Sequence, residues 1–128
     1  MLVTGIVNPA INSLLSRVRH TDTLIVSDWG FPYMAGVETI DISLVAGIPR
    51  VVDVLRAIRV NFNCKGVMAT EFRETNSAET ISRYEEALKG VSIAWEPHAL
   101  FKSRAKGTVG IIRTGDTIRF GNILLEST

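Results

Sequence analysis

Two residues that can transfer protons, His20 and Asp28, flank a short apolar run in the N-terminal part of the chain. Histidine exchanges protons near neutral pH, and a carboxylate can accept a proton or orient an imidazole, so the pair predicts acid–base chemistry. The run 24–26 is typical of a strand buried on both faces, and Gly30 and Pro32 turn the chain out of the sheet after Asp28. Polar side chains at such an exit can meet a ligand.

Each of these residues also has a structural interpretation. His20 can interact with the macrodipole of the helix before it, and Asp28 can cap the turn that follows the strand. If the strand is continuous and rises about 3.3 Å per residue, the two side chains lie roughly 15–20 Å apart. Either the segment after His20 folds back as a turn, or one subunit supplies His20 and another supplies Asp28. We favour the shared site as a hypothesis.

Five further candidates lie in the C-terminal half. His98 and Lys102 are four residues apart in a predicted short helix, so they share one face and can bind hydroxyl groups. Phe120, Gly121 and Asn122 precede the last predicted strand, where glycine lets a ligand approach the backbone and asparagine offers both a donor and an acceptor. The structural alternatives are a surface histidine, a solvated lysine and a hairpin turn.

The composition restricts the classes of protein. A chain of 128 residues with 46% hydrophobic residues is long enough for one domain. The formal net charge of +1, with no basic cluster, gives no case for nucleic acid or an anionic membrane. The single cysteine, Cys64, has no partner for a disulfide and no metal-site spacing, which favours a reducing compartment. Without an apparent targeting or membrane segment, we expect a cytoplasmic protein that binds no metal.

Hydrophobic periodicity predicts alternating helices and strands. The predicted helices are Pro9–Arg19, Pro49–Asn61, Ser77–Lys89 and a short one over Pro97–Ala105. The predicted strands are Thr23–Asp28, Thr39–Val45, Gly66–Thr70, Val91–Trp95, Thr108–Arg113 and Asn122–Leu125. For Thr39–Val45 the alternative is a turn and a short helix. This alternation predicts a single α/β domain with three αβα layers. A turn at 114–116 between the last two strands indicates a mixed, mostly parallel sheet.

The segment from His20 to Pro32 resembles the signature of the D-ribose pyranase and L-fucose mutarotase family, sugar anomerases of bacterial monosaccharide uptake. The shared pattern is His-Thr-Asp-Thr-Leu, an apolar pair, and then Asp-x-Gly-x-Pro. The similarity covers nearly the whole chain. It extends to Ile40-Asp41, Gly47-x-Pro49, His98-x-x-Phe101-Lys102 and the start of the strand at Asn122.

The resemblance implies an isomerase that interconverts the ring forms of a free monosaccharide without a cofactor. It implies that His20 is the proton donor and that the other candidates line the sugar site, with Lys102 a weaker addition. It further implies a ring-shaped homo-oligomer, commonly a decamer, which fits a site at subunit interfaces. The N-terminal motif favours ribose, whereas the ending Phe120–Leu125 resembles the fucose branch.

This chain departs from the family pattern at Phe120, where the family typically has a tyrosine. The site therefore lacks a phenol that could hydrogen-bond the sugar or assist proton transfer. The alternatives to a ribose-specific isomerase are an L-fucose mutarotase and a non-catalytic, oligomeric sugar-binding protein.

Overall fold

Six strands form one sheet, and the candidate residues lie in the segments that flank its strands. The computed structural model describes residues 1–128. The strands are β1 (Thr23–Ser27), β2 (Glu38–Asp41), β3 (Cys64–Ala69), β4 (Ile93–Glu96), β5 (Gly110–Arg113) and β6 (Ile123–Ser127). Their order across the sheet is β2-β5-β1-β6-β3-β4. Only β6 runs antiparallel to its neighbours, so the predicted mixed, mostly parallel sheet is confirmed.

The last two strands do not pair with each other, although the sequence suggests a strand, a turn and a strand. β1 lies between them, with Leu24 opposite Gly110 of β5 on one side and Leu125 of β6 on the other. The connecting segment 114–122 crosses the end of β1. There the Trp29 N–H donates to the Asp116 carbonyl oxygen at 3.0 Å. This connection forms part of the candidate site.

Helices cover both faces of the sheet, which confirms the predicted three-layer α/β architecture. One face carries α1 (Pro9–Arg17), α2 (Val51–Ile58), α3 (Glu71–Thr75) and α4 (Ala78–Ala87). The other face carries α5 (His98–Ser103) and the 3₁₀ helix Arg104–Gly107. None of the helices has the length and apolar character that a membrane span requires.

The side chains of β1 alternate between two hydrophobic clusters. Leu24 and Val26 belong to the cluster under α1, α2 and α4, whereas Ile25 packs with Phe101 of α5 on the opposite face. All three β1 residues are fully buried. Burial on both faces fixes β1 in the sheet. The strand therefore keeps the polar residues at its two ends apart.

Two sequence predictions need correction. The predicted strand Thr39–Val45 ends at Asp41, because the Asp41 carboxylate accepts a hydrogen bond from the Ser43 N–H at 2.9 Å and forms a turn. The predicted strand Gly66–Thr70 ends at Ala69 and is followed by α3, which at five residues is too short to show helical periodicity. The other predicted elements are present, with ends that differ by a few residues.

Candidate active site

A cleft of about 220 Å³ opens where β1 ends and β6 begins. Its walls come from the loop after β1, the start of α5 and the connection between β5 and β6. The lining residues are Asp28, Trp29, Gly30, Phe31, Pro32, His98, Thr117, Arg119, Phe120 and Asn122. Four of the seven residues proposed from the sequence therefore line one cleft of a single chain.

Asp28 is held rigidly at the exit of β1. Its carboxylate accepts hydrogen bonds from the Gly30 N–H at 2.9 Å and from Asn122 Nδ2 at 3.3 Å. Its own backbone N–H donates to Asn122 Oδ1 at 2.7 Å. Burial raises the pKa of Asp28 despite these hydrogen bonds, which act to lower it. The site thus contains a fixed carboxylate that accepts a proton more readily than an exposed one.

Asn122 holds Asp28 in place and also lines the cleft. It is buried, and both ends of its side-chain amide bond to Asp28. An amide group has two N–H donors, so one remains for a ligand in the cleft. The prediction that Asn122 binds a ligand stays a prediction, and the structure adds the orientation of Asp28 as a second role.

His98 is the first residue of α5, and its backbone is fixed by a carboxylate. Its N–H lies 3.1 and 3.0 Å from the two Glu71 carboxylate oxygens, which accept this hydrogen bond. The imidazole packs edge-on against Phe120, with ring centroids 5.0 Å apart. His98 Nδ1 is buried and has no hydrogen-bond partner within the chain. His98 also lines the cleft, so its imidazole can meet a bound hydroxyl group there.

Phe120 has a left-handed backbone, with a φ of 57°. This conformation is uncommon for a large side chain, so the surrounding structure must maintain it. The neighbouring Gly121 is not a lining residue. A Cβ at Gly121 would collide with the Tyr84 hydroxyl beneath the cleft, so here glycine permits close packing. Its predicted role in ligand binding stays a prediction.

His20 lies at the opposite end of β1 from the cleft. It is exposed in a tight turn in which the Asp22 N–H donates to the Arg19 carbonyl at 3.0 Å. A turn therefore does form after His20, but β1 still separates it from Asp28 by roughly 15–20 Å. Within one chain, these two residues do not share a cleft.

Lys102 is exposed on α5 and does not line the cleft of its own chain. Two further lining residues, Thr117 and Arg119, were not proposed as ligands from the sequence. Thr117 and Arg119 lie in the connection between β5 and β6, whose course across β1 carries no local sequence signal. The exposed Trp29 and the guanidinium of Arg119 add an aromatic face and N–H donors to the cleft.

The cleft has the chemistry of a site for a small polyhydroxylated ligand in an α/β domain. It combines aromatic rings with a carboxylate, an imidazole, an amide and a guanidinium. A model of the RbsD / FucU transport protein family matches residues 1–128. The chain belongs to this family, as its N-terminal motif predicts.

Relatives match the chain over almost its entire length. The D-ribose pyranase of Chromobacterium violaceum is 34% identical over 124 residues, which cover 96% of this chain and 94% of that protein. The D-ribose pyranase of Geobacillus kaustophilus is 32% identical over 127 residues, which cover 99% of this chain and 93% of that protein.

Solved structures share the fold. Bacillus subtilis RbsD complexed with D-ribose superposes with a TM-score of 0.91 at 29% identity, over 99% of this chain and 97% of that chain. A fucose mutarotase from Streptococcus pneumoniae in complex with L-fucose gives a TM-score of 0.79 at 17% identity, over 94% and 92% of the two chains. The second similarity concerns the fold alone.

Proposed function

We propose that this protein is an isomerase that interconverts the ring forms of free D-ribose by acid–base catalysis, using only groups of the polypeptide. One observation carries the proposal: a member of this family, similar along its whole length to D-ribose pyranases, brings a fixed carboxylate and an imidazole to one cleft. The cleft volume of about 220 Å³ suits a monosaccharide.

The reaction needs two proton transfers in each direction. Opening a sugar ring requires a proton on the ring oxygen and removal of the proton from the anomeric hydroxyl, and closing the other ring reverses both transfers. A positioned acid or base typically accelerates such a step about 10²–10⁴-fold. Two groups on opposite sides of the sugar are therefore sufficient.

Asp28 is the base in this proposal. Its raised pKa strengthens it as a proton acceptor, and the Gly30 N–H and Asn122 side chain fix its orientation toward the cleft. The imidazole of His98, which also lines the cleft, forms a hydrogen bond with a sugar hydroxyl. The faces of Trp29 and Phe120 cover the apolar faces of the sugar ring.

His20 is the acid, and it reaches the cleft from a partner subunit. The proposal is supported by the distance along β1 within one chain and by the exposure of the turn that carries His20. It requires a homo-oligomer, which we propose to be a decameric ring. Lys102 and Gly121 belong to the proposed sugar site as well: Gly121 shapes the wall between Phe120 and Asn122, and Lys102, like His20, would act on the cleft of a partner subunit.

The exposed apolar surface supports assembly. Eleven large hydrophobic side chains are exposed on the single chain. They are Met1, Leu2, Val3, Val7, Trp29, Tyr33, Leu44, Val45, Ile48, Val60 and Leu100. Leu44, Val45 and Ile48 lie in one turn closed by the Val45–Ile48 bridge, and a contiguous apolar patch of this kind marks an interaction surface. We further propose a cytoplasmic location, which the free thiol of Cys64 supports.

NMR saturation transfer between the ring forms of D-ribose tests the function. The wild-type protein is expected to accelerate the exchange. His20→Ala and the similarly sized His20→Asn are expected to reduce it at least about 100-fold, because neither can supply the proton. Unfolding midpoints close to that of the wild type would show that both variants fold.

A panel of aldoses that includes L-fucose separates the alternatives. Faster exchange of L-fucose than of D-ribose would show that L-fucose, and not D-ribose, is the substrate. Binding of D-ribose without accelerated exchange would indicate a non-catalytic binding protein. Equal exchange by the wild type and both His20 variants would refute the role of His20.

A further inference from the structure

Two side chains from behind the cleft hold the segment 118–121, here called the strap. Asn76 Nδ2 donates to the Arg119 carbonyl at 2.9 Å, and the Tyr84 hydroxyl donates to the Gly121 carbonyl at 3.1 Å. Neither Asn76 nor Tyr84 lines the cleft. The strap itself contributes Arg119 and Phe120 to the cleft wall, and Asn122 follows it directly.

The Tyr84 contact is close and buried. Tyr84 is only 3% exposed, and its ring packs on Phe72 with centroids 4.6 Å apart. Burial raises the pKa of Tyr84, so the phenol remains protonated and available as a donor. The absence of a Cβ at Gly121 lets the hydroxyl approach the strap backbone. The Tyr84 hydroxyl therefore occupies the space that a Cβ at residue 121 would need.

The hydrogen bond from Tyr84 to the Gly121 carbonyl supports the two cleft residues next to Gly121. Phe120 precedes it in a left-handed conformation, which is unfavourable without support. Asn122 follows it and holds both the N–H and the carboxylate of Asp28. A shift of the Gly121 carbonyl would move an aromatic wall of the cleft on one side and the support of Asp28 on the other.

We propose that Tyr84 is a positioning residue for sugar binding, which acts through the Gly121 carbonyl on Phe120 and Asn122. The inference rests on the proposed function for its ligand, D-ribose. The competing explanation is that the hydroxyl only satisfies a buried carbonyl and stabilises the fold. That role would change the unfolding midpoint without changing the affinity for the sugar.

Tyr84→Phe tests the proposal by removing the hydroxyl and keeping the ring. The expected result is a KM for D-ribose about threefold to tenfold higher, the factor that one lost hydrogen bond produces, with kcat changed less than about twofold. The acid and the base both remain in this variant. An unchanged KM with a lowered unfolding midpoint would overturn the proposal.

Thr108→Val is the matched control. The Thr108 hydroxyl is also buried and donates to a backbone carbonyl, that of Ala105 at 2.7 Å, but it lies before β5 and away from the cleft. The expected result is a lowered unfolding midpoint with an unchanged KM. An equal rise in KM in this variant would show that the Tyr84 effect reflects general destabilisation, against the proposal.

A double-mutant cycle with Gly121→Ala tests the coupling. The added Cβ collides with the Tyr84 hydroxyl, and its next contact is the Ile118 carbonyl at 3.1 Å. Gly121→Ala is expected to raise KM more in the wild type than in the Tyr84→Phe background, where the hydroxyl is absent. Additive effects would count against the proposal.

Amide hydrogen exchange in the sugar-free protein separates this inference from the proposed function. Tyr84→Phe is expected to speed exchange at the Gly121 N–H, which bonds to the Ile118 carbonyl at 3.2 Å, and to leave the amides of β1 unchanged. Unchanged exchange at Gly121 would overturn the positioning role. A wild-type protein that neither binds nor isomerises D-ribose would instead overturn the function.

Discussion

Asp28 shows how burial tunes a single residue. Its carboxylate has two hydrogen-bond donors that favour the charged form, yet burial dominates and raises its pKa. The folded protein therefore binds this proton more tightly than the unfolded chain does. The contribution of Asp28 to the free energy of unfolding is therefore full below about pH 4. It is lost as the pH rises through the raised pKa of the folded state.

Asp28→Asn should remove the cost of burying a charged carboxylate, because the amide is neutral at every pH. Relative to the wild type, the variant is expected to become more stable as the pH rises from about 4 to 7. Urea unfolding of both proteins at the two pH values measures the difference, in which the titration of groups that do not interact with Asp28 cancels. A constant difference would show that burial does not shift the Asp28 carboxyl.

Asp22 organises the turn that presents His20. Its carboxylate accepts a hydrogen bond from the Arg19 N–H at 2.8 Å, and Thr21 within the turn has a φ of 69°. A left-handed threonine is unfavourable, so the turn needs this closure.

Asp22→Ala is expected to reduce D-ribose exchange about threefold to tenfold, because a looser turn positions His20 less often. Saturation transfer measures the rate, and D-ribose titration checks that binding is retained. Asp22→Asn keeps a side-chain oxygen as acceptor and should recover most of the activity. Full activity of Asp22→Ala would show that His20 does not need the closed turn.

At the scale of elements, close packing of α1 on β5 depends on a glycine. A Cβ at Gly110 would lie 2.8 Å from Cδ1 of Leu14 and 3.3 Å from the Glu38 carbonyl oxygen of β2. Leu14 is fully buried and cannot swing away. The helix, the two strands and this glycine therefore form one packed unit.

Gly110→Ala is expected to lower the free energy of unfolding by about 1–3 kcal/mol through overpacking. Gly107→Ala is the matched control, since a Cβ there meets nothing within 4 Å, and it should be neutral or stabilising by up to about 1 kcal/mol. Urea unfolding measures both. Equal effects of the two substitutions would contradict the packing argument.

At the scale of the whole molecule, the proposed role of His20, which lies away from the cleft of its own chain, would make the function depend on assembly. Each proposed site takes its acid from one subunit and its base from another. Co-expressed His20→Ala and Asp28→Ala chains would then form some sites with both native residues. If subunits mix at random in a symmetric ring, about one quarter of the sites are complete.

Activity is therefore expected to return in the mixed oligomer to about a quarter of the wild-type level, although each variant alone is inactive. Saturation transfer on the co-purified mixture, with the separately purified variants as controls, gives the measurement. No recovery in a verified mixed oligomer would mean that the two residues act in one chain, whereas activity of either variant alone would mean that the residue it lacks is dispensable.

Several features could be read from the sequence because they depend on neighbouring residues. The apolar run 24–26 predicts the buried strand β1, and Asn8 followed by Pro9 predicts the start of α1, where Asn8 Oδ1 accepts the Ile11 N–H at 3.0 Å. The motif from His20 to Pro32 also predicts the family. It places its two polar residues at opposite ends of one strand, as the structure confirms.

Only the tertiary structure decided which residues form the cleft. The insertion of β1 between β5 and β6 brings Asn122 to Asp28 across 94 positions of sequence, and no local pattern encodes that pairing. Likewise, the fit of Tyr84 under Gly121 joins residues 37 positions apart. The physical reason is that periodicity and turn chemistry act over a few residues, whereas strand order is fixed by burying both faces of the sheet at once.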